Sequence, residues 1–140
     1  MAIKHAVVMM GLIILGSTAN AQENLAGQYR IDCESVREDF SFKTKCQSEL
    51  ASGVDTSFRL FKDSGGLWQM KPAAIGATTE SLKSVSANGF SCFEGQGIVI
   101  CSVPKDIDSF PVGPGYAVRS KTGVIAVTFS GVFDLIRVGE

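Results

Sequence analysis

Between residues 82 and 103 the chain alternates apolar and polar positions around two tight turns, Asn88-Gly89 and Gln96-Gly97. A period of two marks strands with one buried face, and Asn-Gly between such runs is a strong hairpin signal. Placing Cys92 opposite Cys101 pairs Phe93 with Ile100, Glu94 with Val99 and Gly95 with Ile98, and leaves Gln96-Gly97 as the loop. Counted outward from that loop, the two cysteines form a non-hydrogen-bonded pair, whose Cα separation of about 4.5 Å suits a disulfide. Asn88-Gly89 independently pairs Ala87 with Phe90, Ser86 with Ser91 and Val85 with Cys92. Cys92 is then hydrogen-bonded to one neighbour and not to the other, as a central strand requires. Both counts predict a meander over 82–87, 90–95 and 98–103. The competing reading is a helix over 80–87 stopped by Asn88-Gly89, since Glu80, Leu82 and Lys83 tolerate one.

The same alternation predicts strands over 28–33 and 40–46, and a hairpin of 57–62 with 67–71 around Asp63-Ser64-Gly65-Gly66. A last hairpin, 124–129 with 132–138 around Ser130-Gly131, would pair Phe129 with Val132, Val127 with Asp134 and Ile125 with Ile136. Short strands at regular spacing predict an all-β fold, a single small antiparallel β-barrel or sandwich of about eight short strands stapled by disulfides. Residues 103–116, VPKDIDSFPVGPGY, carry three prolines and two glycines and do not alternate. They read as a long loop with stiffened φ angles. It is either a connector between sheets or a binding loop presenting Phe110 and Tyr116 beside Lys105, Asp106 and Asp108.

The first residues, MAIKHAVVMMGLIILGSTANA, have a basic start at Lys4, an apolar run from Ala6 and a small-residue end at Ala19-Asn20-Ala21. They predict a secretory leader cleaved after Ala21 and a single β domain over 22–140. Ser17, Thr18 and Asn20 break the run before the roughly 20 apolar residues that a membrane span needs. The expected setting is therefore periplasmic or secreted, without a membrane span. Cys33, Cys46, Cys92 and Cys101 all follow the leader, and an even cysteine count in an oxidising compartment predicts two disulfides, 92 with 101 and 33 with 46. Zinc is the rival reading, but the chain has no Cys-x-x-Cys and no histidine beyond His5.

Charge and chemistry narrow the function further. Of 13 Lys and Arg one, Lys4, leaves with the leader, against 14 Asp and Glu. That balance gives no footprint for nucleic acid, which needs clustered excess cations. Without His5, imidazole bases and nucleophilic systems that depend on them are closed. Glu34, Glu38, Asp39, Asp106 and Asp108 are the carboxylates available in principle for glycoside hydrolysis. The expectation is nonetheless no enzyme, no cofactor and no metal. By exclusion, the chain reads as an exported non-catalytic binding protein, an inhibitor or immunity-type protein whose partner is a hydrolase or secreted toxin. The alternative is a carrier of a small apolar ligand in a barrel interior.

The stretch Leu25-Ala26-Gly27-Gln28-Tyr29 resembles the opening of calycin-type barrels, the lipocalins and small periplasmic metalloprotease inhibitors, where a Gly-x-aromatic step starts the first strand. The resemblance implies a late-strand arginine packed on that ring, a part open to Arg137 over Tyr29. Tyrosine stands here where tryptophan is usual, and the cysteine spacing is not that of the inhibitors. The alternative is that Tyr29 is an ordinary strand aromatic and Arg137 an ordinary surface charge.

Overall fold

The computed structural model describes residues 24–36, 40–87, 89–106, 108–113 and 116–139. The expected leader lies outside them. The strands are β1 Gly27–Ile31, β2 Phe58–Lys62, β3 Trp68–Pro72, β4 Glu80–Ala87, β5 Phe90–Gly95, β6 Ile98–Ser102, β7 Asp108–Gly113, β8 Tyr116–Arg119, β9 Val124–Thr128 and β10 Gly131–Gly139. Eight of them close an antiparallel barrel in the order β1-β2-β3-β4-β5-β6-β9-β10, with β10 returning to β1, while β7 and β8 form a separate two-stranded sheet. Between β1 and β2 come a 3-10 turn, Cys33–Ser35, and the helix α1, Phe40–Ala51.

The central meander has the register that the turns dictate: Val85 opposite Cys92, Cys92 opposite Cys101 and Gly95 opposite Ile98. Residues 80–87 are strand and not helix, because β4 is paired on both sides, with β3 and with β5. The cysteines join as 92 with 101, at a Cα separation of 4.1 Å, and 33 with 46, at 5.6 Å.

Three expectations are corrected. Residues 40–46 belong to helix α1 and not to a strand. Positions four apart share a face under a period of two and nearly so under 3.6, so Phe42 and Cys46 satisfied both readings. Tertiary contacts chose the helix: Phe42 stacks on Phe133 at 5.6 Å, and Cys46 is tied to Cys33. The last hairpin closes one residue earlier than expected, with Thr128 opposite Gly131, Val127 opposite Val132 and Ile125 opposite Asp134. Thr128 Oγ1 accepts the Ser130 N–H at 3.1 Å and donates to the Gly131 carbonyl at 3.2 Å, and Gly131, at φ 115°, opens the strand instead of sitting in the loop. Partners move by two residues, so every side chain keeps its face. Lastly, half of segment 103–116 is strand and not irregular loop, since β7 pairs with β8 around two register shifts.

Alternate residues of the strands divide between two apolar clusters, as pleating requires. Tyr29, Leu60, Trp68, Leu82, Phe93, Ile100, Ala126, Phe133 and Leu135 form the first. These fill the interior, consistent with the width of an eight-stranded barrel. Cys92, Cys101, Val103, Ile125 and Val132 form the second, on the opposite face of β5, β6, β9 and β10.

Candidate functional site: the barrel mouth

One end of the barrel is open. There β1 and β3 finish, β2, β4 and β10 start, and the β5–β6 and β9–β10 turns lie side by side. The opening is a cavity of about 690 Å³ whose apolar wall is made by Ile31, Phe42, Phe58, Met70, Ile98 and Phe133. Thr56, Gln96, Thr128 and Ser130 supply its polar groups, and among the described residues none that lines it is charged. Below it the interior is solid: Phe58 lies on Tyr29 at 6.1 Å and Trp68 on Phe93 at 4.5 Å between ring centroids.

The rim is held from several elements. Glu80 accepts the Gln96 N–H and ties the β5–β6 turn to the start of β4. Gly95 leaves room for that carboxylate, since a Cβ there would stand 2.7 Å from Glu80 Oε1. Gly97 takes φ 72° in the turn, and a Cβ on it would stand 3.3 Å from the Phe129 ring of the neighbouring turn. Helix α1 flanks the opening through Phe42 and is fastened by the Cys33–Cys46 bridge, the Lys43–Glu34 ion pair at 3.9 Å and the Gln47–Glu34 hydrogen bond at 2.7 Å.

At the opposite end stands the arrangement implied by the resemblance. The Arg137 guanidinium lies 5.3 Å from the centroid of the Tyr29 ring, and its Nη2 donates to the Tyr29 hydroxyl at 2.8 Å and to the Asn24 carbonyl. That hydroxyl donates in turn to the Leu25 carbonyl at 2.8 Å. Burial pushes the Tyr29 phenol above its ordinary pKa, while the charge and hydrogen bond of Arg137 pull it down. The group ties residues 24–29 to β10, and the Tyr29 ring is wholly buried.

The binding residues expected from sequence do not converge on the mouth. Lys105 and Asp106 are exposed after β6, at the end away from the cavity, where Asp106 takes φ 58° and donates its N–H to the Ser120 carbonyl at 2.6 Å. Asp108 and Phe110 stand in β7 and Tyr116 starts β8; their side chains lie outside the described part, as do Glu38 and Asp39 entirely. Glu34 is engaged by Lys43 and Gln47.

Sequence reasoning missed the mouth residues, whose only signal is ordinary strand alternation. It also missed Asp134. This buried carboxylate accepts from the Ser120 hydroxyl at 2.7 Å and the Lys121 N–H at 3.1 Å, while its own N–H donates to Ser35 Oγ at 2.7 Å. Ser120 is fully buried beside it, so the pair anchors the return of the β7–β8 hairpin and the 3-10 turn to β10.

Among the described residues no group of three or more His, Cys, Asp or Glu is placed to hold a metal ion, and no helix is long and apolar enough to cross a membrane. Comparison with family models, with curated proteins and with solved structures finds no match for this chain.

Proposed function

We propose that the chain is an exported, non-catalytic binding protein that takes an apolar small molecule, or the apolar part of an amphiphile, into the mouth of its barrel. One observation carries this reading: the cavity of about 690 Å³ at the open end, whose described lining is mostly apolar and without charge. Its volume lies within the range of ligand sites, and a few polar groups at an apolar wall are the usual means of orienting a ligand. The solid interior beneath it restricts the ligand to the mouth. Two disulfides suit an oxidising compartment, and the Arg137–Tyr29 contact within a closed eight-stranded barrel supports kinship with calycin-type carriers. The non-catalytic reading rests on the lack of histidine beyond His5 and on the engagement of all four cysteines in disulfides.

The test is titration with a naphthylamine dye whose emission rises in apolar surroundings. Saturable, stoichiometric binding is expected. Phe129→Asp should weaken it about tenfold, since a charge replaces apolar surface at the rim, with the melting temperature unchanged. A dye signal that never saturates, or is the same in both proteins, would remove the reading.

A second reading, inhibition of a hydrolase or toxin, is favoured by the β7–β8 sheet, which leaves the barrel as a separate hairpin pinned at its base by the Ser120–Asp134 bond. Pull-down from periplasmic extract with wild-type protein and with Phe110→Ala decides it. Capture of a hydrolase that fails with the variant would support inhibition.

A further inference from the structure

The polar groups of the mouth bear on the head group that its ligand carries. The side chains of Thr56, Gln96 and Ser130 line the cavity and make no hydrogen bond with other described residues, whereas Thr128 Oγ1 is engaged by Ser130 and Gly131. Hydroxyls and amides both donate and accept, so these three can meet a hydroxyl, an amide or an ester. None of them supplies a charge to balance an ionised head, and a charge taken from water without a counter-charge is costly.

Behind this lining stands a carboxylate. Glu80 lies two residues before Leu82 in β4 and therefore on the inner face of the barrel, where Leu82 joins the interior cluster. A Cβ on Gly95 would meet both, at 2.7 Å from Glu80 Oε1 and 2.9 Å from Leu82 Cδ2. Glu80 stands opposite Met70 and accepts the N–H of Gln96, two residues of the cavity wall. Asp55, next to Thr56 in the chain, accepts the Ser57 N–H at 3.0 Å and the Ser57 hydroxyl at 2.5 Å. Among the described residues only neutral donors bond these two carboxylates, so both keep their charge. Lys43 is paired with Glu34 at 3.9 Å, and Arg59 and Lys71 take the outer face of β2 and β3, away from Phe58, Leu60 and Met70. The first turn of α1, where Phe42 joins the wall, brings roughly half a positive charge. That is less than Glu80 alone opposes.

We propose that the mouth selects amphiphiles with an uncharged hydroxyl, amide or ester head, held by Thr56, Gln96 and Ser130, and that Glu80 excludes their anionic counterparts. The inference rests on the reading of the cavity as a ligand site and names the class of ligand. Glu80 does not itself line the cavity, so it acts through its charge and not as the ion-pair partner of a cationic head.

The experiment is displacement of the naphthylamine dye by decanol, decanoate and decylammonium at about pH 8, where the acid is ionised and the amine protonated. Decanol should displace the dye at the lowest concentration and decanoate at the highest. Any apolar cavity favours the uncharged ligand, so the deciding measurement is on Glu80→Gln, whose amide oxygen can still accept the Gln96 N–H. This variant should leave decanol binding and the melting temperature unchanged and tighten decanoate about tenfold. Thr56→Val/Ser130→Ala should weaken decanol about fivefold, again at an unchanged melting temperature. Decanoate equally weak in wild type and Glu80→Gln, or decylammonium bound more tightly than decanol, overturns the inference, while saturable dye binding keeps the cavity as a ligand site. A dye signal that never saturates removes the ligand site and the inference with it.

Discussion

At the scale of single residues, two titratable groups set opposite limits on stability. The buried Tyr29 phenol has a raised pKa, chiefly through burial, so the folded state holds its proton more tightly than the unfolded chain. Its contribution is intact below about pH 10, the ordinary tyrosine value, and is lost as pH rises through the folded-state value. Tyr29→Phe should flatten that alkaline fall, measured as urea midpoints across pH. At neutral pH it should cost about 1 to 2 kcal/mol, because Arg137 and Leu25 lose their partner. Asp63 behaves oppositely. The Leu67 N–H at 2.9 Å holds its carboxylate below the usual range, with Gln69 and Gly65 assisting. Its contribution is present above about pH 4 and is lost as pH falls through the folded-state value, so Asp63→Ala should flatten the acid limb. The contact between Tyr29 and Arg137 was legible only through the resemblance to calycin-type barrels, since neither residue's spacing in the chain implies the other.

At the scale of elements, legibility depended on how local the determining contacts were. The β4–β5 and β5–β6 turns carry their register in their own residues, and two adjacent turns had to agree through Cys92. The β9–β10 turn was misplaced by one residue because glycine was read as a loop position, whereas Thr128 closes the turn with its side chain. Helix α1 was misread because only Phe133 and Cys33, both distant in sequence, decide between its two periods. Removing the bridge by Cys33→Ser/Cys46→Ser should therefore cost about 3 kcal/mol, as for a loop of this size. Amide exchange should quicken in 40–51 before it does in the barrel strands. Asp134→Ala should cost about 2 to 3 kcal/mol in denaturant unfolding, because the buried Ser120 hydroxyl loses its acceptor and the half-buried Lys121 N–H loses its partner.

At the scale of the whole molecule, closure divides the apolar residues into a floor and a mouth. Phe93 and Phe129 both lie in strand-turn segments of similar composition, yet the first is fully buried and the second almost fully exposed. Phe93→Ala should cost about 3 to 5 kcal/mol, and Phe129→Ala should stay within about 0.5 kcal/mol while weakening dye binding. Calorimetry and titration on the same two variants separate the roles. Equal losses of stability would mean that the β9–β10 turn is part of the core and not the rim of a site.

By itself the sequence determined the period-two pattern, the turns of the central meander, both cysteine pairings and the all-β class. Each of these follows from contacts within a hairpin or from the arithmetic of four cysteines, two of which the meander sets opposite each other. The tertiary structure decided that the sheet closes, that 40–51 is helix, that β7 and β8 form a sheet separate from the barrel, and that the opening lies at the Gln96 and Phe129 turns and not at Phe110. The physical reason is common to all four. A strand's alternation states which face is buried but not what lies opposite, and the mouth is assembled from β1, α1, β2, β3, β6 and β10, which become neighbours only when β10 pairs with β1.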